Sequence, residues 1–110
     1  MKALFFTREF PPYVYGGAGV HVEYLAAELA KLMELEVRCF GDQDEKSDNL
    51  SVKGFPYDNP VFNDSNDKLK AVLKTLSTCV QMNADDIDAD IVHCHTCYSH
   101  FEGITAKLLY

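Results

Sequence analysis

The sequence has no run of basic residues and no long apolar run. Ten Lys and Arg stand against 17 Asp and Glu, which gives a formal net charge of -7. Proteins that bind nucleic acid neutralise its phosphates with clustered cations, so a nucleic acid partner is excluded. The first apolar run, Ala3 to Phe6, ends at Thr7-Arg8-Glu9, far short of a signal-peptide core or of a membrane span of ~20 residues. We therefore expect a cytoplasmic protein without a membrane partner.

Cysteine content and chain length set two further limits. The four cysteines lie in otherwise ordinary strand and helix patterns, not in the dense array of a small secreted scaffold, so we expect reduced thiols. With 110 residues, of which 47% are apolar, the chain has ordinary globular composition and can build one modest core. Two complete domains are excluded.

The apolar pattern changes its period along the chain and predicts alternating strands and helices. Strands are predicted at residues 2–6, 35–40, 50–55 and 90–93, and helices beginning near residues 18, 69 and 98. This alternation is typical of an α/β fold, here a Rossmann-like parallel sheet with helices on both faces. In the doubly wound strand order 3-2-1-4, a ligand crevice lies at the carboxyl ends of the first and fourth strands. The segments after those strands would therefore converge at one site.

Each of two predicted helices carries its apolar residues in one stripe. The first stripe consists of Val22, Leu25, Ala26, Leu29 and Met33. The second repeats the same spacing at Leu69, Val72, Leu73, Leu76 and Val80. Residues 42–49 are polar, and we expect no core residue among them.

The first converging segment contains a glycine pair where a helix begins. Gly16 and Gly17 would leave backbone N–H groups uncovered at the positive end of the helix dipole, which suits a diphosphate or a sugar hydroxyl. A plain turn that needs two glycines is the alternative. The spacing is not G-x-G-x-x-G, so a nicotinamide cofactor is disfavoured. Glu9 and His21 flank the pair, and each could face the crevice or have an ordinary surface or packing role.

The second converging segment, residues 93–100, holds the densest cluster of reactive side chains. A structural metal site is disfavoured, because strand alternation sends His93 and His95 away from Cys94. A dithiol redox site would use Cys94 and Cys97 and would need a thiol pKa well below the usual value of about 8.5. A ligand site would use His95, at the end of the strand, to hydrogen-bond a sugar hydroxyl.

Three sequence blocks together resemble the start of a glycogen synthase-type glycosyltransferase. They are Thr7-Arg8-Glu9-Phe10-Pro11-Pro12, Tyr15-Gly16-Gly17-Ala18-Gly19-Val20-His21 and Asp90-Ile91-Val92-His93-Cys94-His95-Thr96. In order and spacing they are similar to prokaryotic glycogen and starch synthases and to related retaining glucosyltransferases of the two-domain GT-B architecture. The resemblance spans the chain from end to end.

The resemblance implies an activity and a set of site residues. Enzymes of this family move glucose from a nucleotide sugar, usually ADP-glucose, to an α-1,4-glucan with retention, and they need neither a bound metal nor another cofactor. Gly16 and Gly17 match positions that approach the donor phosphates. His95 matches the catalytic histidine that contacts the donor sugar, and Glu9 and His21 match positions that line the cleft on the acceptor side.

The match departs from the family at two positions. Val14-Tyr15 precede the glycine pair where the best-known bacterial enzymes have a Lys-x-Gly-Gly setting, and Cys97 stands where a Trp is usual. The C-terminal domain, which supplies most nucleotide contacts in the family, has no counterpart in the sequence. Residues 1–110 are therefore interpreted as a fragment of the N-terminal, acceptor-side domain, and we expect the fragment alone to be inactive.

Several alternatives stay open at this stage. The donor could be ADP-glucose or UDP-glucose, and the acceptor could be a glucan or a sugar phosphate. Two functions outside the transferase class also remain, namely a small dithiol oxidoreductase that uses Cys94 and Cys97, and a sugar-binding module without catalysis.

Overall fold

The computed structural model of the chain describes residues 1–57, 60–96 and 99–110. Its strands are β1 (Lys2–Thr7), β2 (Glu34–Phe40), β3 (Asp44–Lys46), β4 (Leu50–Phe55) and β5 (Ile91–His95). Its α-helices are α1 (Gly17–Leu29), α2 (Asp67–Met82) and α3 (His100–Leu109), and a short 3-10 helix spans Pro60–Phe62. The four predicted strands are confirmed. None of the helices in this part of the chain is long and apolar enough to cross a membrane.

One sheet orders its five described strands β3-β4-β2-β1-β5. Strands β4, β2, β1 and β5 run parallel, and β3 pairs with β4 in the antiparallel sense. The parallel strands have the predicted order 3-2-1-4, so the predicted Rossmann-like parallel sheet is confirmed. Thr7 and His95, which end β1 and β5, lie opposite each other in register. The loops that follow these two strands therefore start side by side.

Both faces of the sheet are covered by helices. Successive side chains of a strand point to opposite faces, so Phe5 packs with Val22 of α1 while Phe6 packs with Met82 of α2 and Ala106 of α3. A strand buried on both faces is apolar at nearly every position. This explains why β1 is a continuous apolar run.

The helix predicted from the second apolar stripe is confirmed as α2, but the stripe does not face the sheet. Four of its members are between 38% and 59% exposed, namely Leu69, Val72, Leu76 and Val80. The helix approaches the sheet through Thr78, Cys79 and Met82 instead. The short side chains of Thr78 and Cys79 let α2 lie close to the sheet, and the Thr78 hydroxyl donates to the carbonyl oxygen of Pro56. These contacts fix the rotation of the helix about its own axis.

Residues 42–49 also differ from their prediction. They contain β3, and Gln43 is buried although no core residue was expected there. Its side-chain Nε2 donates to the carbonyl oxygens of Phe10, at 3.0 Å, and Pro11, at 3.3 Å. A polar residue is buried here because its amide binds the loop after β1.

Candidate functional site

Hydrogen bonds hold the loop between β1 and α1, residues 8–16, against the carboxyl end of β2 and the residues that follow it. The carbonyl oxygen of Arg8 accepts from the backbone N–H of Phe40 at 3.2 Å. The hydroxyl of Tyr13 donates to Asp42 Oδ1 at 2.7 Å, and this bond raises the pKa of Tyr13. Together with the bonds from Gln43, these contacts give the loop one ordered conformation at the carboxyl end of the sheet.

Gly16 and Gly17 form an open surface at the start of α1. Gly16 is extended, with φ of -165°, a conformation that any residue adopts. A Cβ atom built on either glycine would meet no protein atom within 4 Å. No side chain in the described part of the chain caps this helix, so the N–H groups of its first turn are available to a ligand. Neither backbone conformation nor internal crowding requires these glycines, which favours a ligand over a plain turn.

At Gly19, in contrast, close packing requires a glycine, because protein atoms already lie where a Cβ atom would be. A Cβ atom at this position would lie 2.9 Å from Cβ of Glu9 and 2.9 Å from Cγ1 of Val14. The first turn of α1 therefore packs directly against the loop. The carboxylate of Glu9 accepts a hydrogen bond from the backbone N–H of Tyr15, which fixes this side chain beside the glycine pair.

A cavity of about 470 Å³ opens where the loop meets the carboxyl ends of β1 and β5. Its lining residues are Thr7, Arg8, Glu9, Tyr15, Gly16, Ala18 and Thr96. We call it the glycine cavity. Its volume falls within the roughly 300–1,000 Å³ of small-molecule sites. A larger cavity of about 630 Å³ lies between β5 and α3. The glycine cavity is the stronger candidate for chemistry because Gly16, Glu9 and the residue after His95 line it.

Two of the histidines predicted from sequence meet on the α1 face of the sheet. The ring centroids of His21 and His95 are 6.4 Å apart, and that of His93 lies 4.2 Å from His95. Phe5 packs edge-on against His95 at 4.5 Å. His95 is only 8% exposed, whereas His21 and His93 are exposed.

His95 has a neutral imidazole ring, and one of its nitrogen atoms is buried without a hydrogen-bond partner among the described residues. Burial is the main reason that its pKa is lowered to about 4, and the nearby His93 and His21 add to the effect. A neutral ring has one donor and one acceptor nitrogen. Its buried Nε2 has no hydrogen-bond partner among the described residues. The backbone carbonyl of His95 accepts from the Ser99 hydroxyl at 2.7 Å. The imidazole does not line the glycine cavity, which the next residue, Thr96, does line.

The residue after His95 has a strained backbone. Thr96 has a φ of +74°, a region that a β-branched residue rarely occupies. Such strain costs on the order of 1–3 kcal/mol and is concentrated at functional sites. Thr96 also lines the glycine cavity, so the strain lies at the candidate site.

The environment of Cys94 does not suit redox chemistry. Burial, followed by the charge of Glu102, raises the pKa of Cys94, whereas a reactive thiol needs a lowered one. Cys94 packs on the α2 and α3 face, opposite the histidines, as strand alternation predicts. Cys97, the second thiol of the redox hypothesis, lies outside the described residues. In residues 1–57, 60–96 and 99–110, no group of three His, Cys, Asp or Glu side chains could hold a metal ion.

Comparison with known proteins identifies the family of this chain. Residues 15–110 match Glycosyltransferase Family 4. The chain belongs to glycosyltransferase family 4. The predicted glycosyltransferase class is thereby confirmed, and the matched region contains Gly16, Gly17, His21 and His95.

Two relatives of this family 4 chain match it over its whole length. It is 39% identical over 110 residues to the alpha-maltose-1-phosphate synthase of Mycolicibacterium smegmatis. It is 38% identical over 111 residues to the alpha-maltose-1-phosphate synthase of Mycobacterium tuberculosis. Each match covers 100% of this chain and 26% of the relative, so the chain spans about a quarter of the length of these relatives.

The family 4 chain has only part of its predicted site in the glycine cavity. Glu9 and Gly16 line the cavity, Gly17 begins α1, and His21 contacts His95 on the α1 face. Sequence analysis did not single out five lining residues: Thr7, Arg8, Tyr15, Ala18 and Thr96. Only their positions could have identified these residues from the sequence, because each lies at the end of β1 or β5 or beside the glycine pair.

Proposed function

We propose that the chain forms the acceptor-side wall of a retaining glucosyltransferase that takes glucose from a nucleotide sugar, ADP-glucose. Residues 1–110 would be the N-terminal part of that enzyme, and a second Rossmann-like domain would close the cleft. The observation that carries the proposal is the glycine cavity, in which the uncapped start of α1 at Gly16 meets the strained turn after His95. Because this wall is half of a cleft, the fragment alone should be inactive.

The start of α1 supplies the chemistry for the leaving group. Transfer of glucose leaves a nucleoside diphosphate with increasing negative charge. The free N–H groups after Gly16 and the positive end of the helix dipole stabilise such charge. The open space above Gly16 and Gly17 would let a phosphate approach the backbone directly.

His95 supplies a positioned polar group for the donor sugar. Its imidazole is neutral near pH 7 because its pKa is lowered to about 4, so it can share a hydrogen bond with a sugar hydroxyl without adding a charge. A preorganised group of this kind needs no rearrangement as the oxocarbenium-like transition state forms. We therefore assign His95 as the catalytic residue of this wall, and we place Glu9 and His21 on the acceptor side of the cleft.

For the acceptor, the names of the two relatives favour a sugar phosphate. Maltose 1-phosphate is a glucose unit joined to glucose 1-phosphate, so a synthase that uses a glucosyl donor makes it by transfer to glucose 1-phosphate. The second candidate acceptor is an α-1,4-glucan, which the three glycogen synthase-like sequence blocks favour.

A direct assay of the full-length protein tests the proposal. The protein is incubated with ADP-glucose or UDP-glucose, and with glucose 1-phosphate or maltotetraose, and products are identified by mass spectrometry and proton NMR. We expect a disaccharide phosphate with a new α linkage, formed with a higher kcat/KM from ADP-glucose, and no product with residues 1–110 alone. Transfer to maltotetraose only would replace the sugar phosphate by the glucan. No transfer from either donor would contradict the proposed function.

A further inference from the structure

Ser99 lies between the strained turn after β5 and the start of α3, and it is fully buried. Its hydroxyl group donates to the carbonyl oxygen of His95 at 2.7 Å and to that of Thr96 at 3.1 Å. Its backbone N–H also donates to the carbonyl oxygen of Thr96, at 3.2 Å. These bonds connect Ser99 to the last residue of β5 and to the residue after it, which lines the glycine cavity.

The bonds from Ser99 hold the unusual backbone conformation of Thr96. The carbonyl group of His95 belongs to the peptide plane before the Cα atom of Thr96, and the carbonyl group of Thr96 belongs to the plane after it. The angles φ and ψ of Thr96 describe how these two planes are rotated about that atom. A donor that binds both carbonyl oxygens therefore favours one pair of angles, including the φ of +74°. A strained conformation persists only where surrounding contacts hold it.

Helix capping does not explain the orientation of the Ser99 side chain. Ser99 is the N-cap residue of α3, where a serine side chain usually accepts a hydrogen bond from an N–H group of the first helical turn. The side chain of Ser99 makes no such capping bond. Its hydroxyl group therefore stabilises the turn before the helix instead of the helix itself.

The same bonds reach the histidine to which we assign the catalytic role. The Cα atom of His95 is bonded to the carbonyl carbon that Ser99 holds, so a shift of that carbonyl group would move the imidazole as well. Phe5 packs edge-on against the ring, with the ring centroids 4.5 Å apart. Nε2 of the ring has no hydrogen-bond partner among the described residues. Apolar packing on the ring and hydrogen bonds on the backbone therefore determine where the imidazole lies.

We propose that Ser99 is a positioning residue for His95. By binding the carbonyl oxygens of His95 and Thr96, it fixes the imidazole ring of His95 in the place that transfer requires. This role rests on the proposed function, since it presumes that His95 acts on the donor sugar. Ser99 is fully buried and does not line the glycine cavity, so it contributes to the rate of transfer through His95 and not by touching a substrate.

Kinetics of the full-length enzyme test this role, with ADP-glucose as donor and glucose 1-phosphate or maltotetraose as acceptor. Ser99→Ala should lower kcat about tenfold to a hundredfold, since a displacement of about 1 Å in a catalytic group has an effect of that size. KM for ADP-glucose should change less than about threefold, because the misplaced group acts mainly in the transition state. A kcat of Ser99→Ala within about twofold of the unchanged enzyme would overturn the proposal.

The matched control is Thr78→Val in α2. The hydroxyl group of Thr78 is also buried and also donates to two carbonyl oxygens, those of Pro56 and Lys74, but Thr78 does not line the glycine cavity. In urea denaturation, Thr78→Val should lose about as much stability as Ser99→Ala, and its kcat should stay within about twofold of the unchanged enzyme. Equal losses of kcat in the two variants would show that lost stability alone lowers the rate.

A double variant shows whether Ser99 acts through His95. If it does, adding Ser99→Ala to His95→Ala should lower kcat by less than about a further twofold, because the imidazole ring is already missing. Losses that multiply in the double variant would overturn the proposal, because Ser99 would then act independently of His95.

NMR titration of the His95 ring gives a readout that does not need activity. In the full-length protein with isotope-labelled histidine, the signal that is missing from His95→Ala belongs to His95. Burial lowers the pKa of His95 to about 4. Ser99→Ala should release the ring towards solvent and raise this pKa towards 6.5, whereas Thr78→Val should not change it.

The titration also separates the two possible failures. An unchanged pKa of His95 in Ser99→Ala would overturn the positioning role, even in a protein that transfers no glucose. Absence of transfer by the unchanged full-length protein would contradict the proposed function instead.

Discussion

The two faces of the sheet differ in how they treat buried polar groups. On the α2 and α3 face, the guanidinium of Arg38 donates to the carbonyl oxygens of Met82, Asp85 and Asp86 and to the carboxylate of Glu36. On the α1 face, Nε2 of His95 is buried without a described partner. A buried polar atom without a partner costs about 1–3 kcal/mol. The bonds of Arg38 are therefore made within the fold, whereas Nε2 of His95 has no such bond among the described residues.

Asn83 Oδ1, between α2 and α3, is also buried without a described partner, and Glu102 is a further exception on this face. It is fully buried, and neither carboxylate oxygen has a hydrogen-bond partner in the described part of the chain. Burial raises the pKa of Glu102, and the neighbouring thiol of Cys79 opposes this rise. Glu102 does not line the glycine cavity, so its burial should affect the stability of the fold and not the candidate site.

Removing Arg38 should have the largest effect on stability. Arg38→Met should lower the free energy of unfolding by about 3–5 kcal/mol, because the Glu36 carboxylate and the carbonyl groups after α2 lose their shared donor. Urea denaturation of the full-length protein measures this loss. Lys31→Met, the same replacement at an exposed site, should stay within about 0.5 kcal/mol of the unchanged protein. Equal losses in the two variants would show that the bonds of Arg38 do not anchor this face.

Glu102→Gln should have a smaller effect, and one that depends on pH. Because the folded state raises the pKa of Glu102 above its ordinary value of 4.5, the favourable contribution is complete below that pH and is lost as pH rises through the raised pKa. Glutamine has the shape of the protonated acid and does not ionise. The variant should therefore be more stable than the unchanged protein at pH 8, and its stability should vary less with pH.

Urea denaturation between pH 4.5 and pH 8 measures the effect at Glu102. The control is Glu23→Gln, which removes an exposed carboxylate from α1 and should keep the pH dependence of the unchanged protein. Parallel curves for Glu102→Gln and the unchanged protein would contradict a buried carboxylate that destabilises the fold when it ionises.

The sequence predicted the elements of the fold better than their rotations and long-range contacts. The strand at Leu50–Phe55 and the parallel strand order follow from local patterns combined with one topological rule. The contact between His21 and His95 was not predicted, since the sequence left the direction of His21 open. The spacing of the α2 stripe locates an apolar face but does not say which surface covers it. The bond from Thr78 to Pro56 decides that rotation, and it joins distant parts of the chain.

The same limit applies to the cavity of about 250 Å³ that Arg8, Tyr13 and Tyr57 help to line. Tyr13 lies in the loop after β1 and Tyr57 lies after β4, so no sequence spacing relates them. Arg8 lies near both only because β1, β2 and β4 end at the same edge of the sheet. A residue of this kind is recognised as part of a site once the topology is known.

The most direct test of the account is the turnover number of His95→Ala in the full-length enzyme. Loss of one preorganised polar group at the reacting sugar should lower kcat about a hundredfold or more. His100→Ala, which removes an exposed histidine at the start of α3, serves as the matched control and should keep kcat within about threefold. A kcat of His95→Ala close to that of the control would contradict the assignment of His95 and, with it, of the α1 face as the catalytic wall.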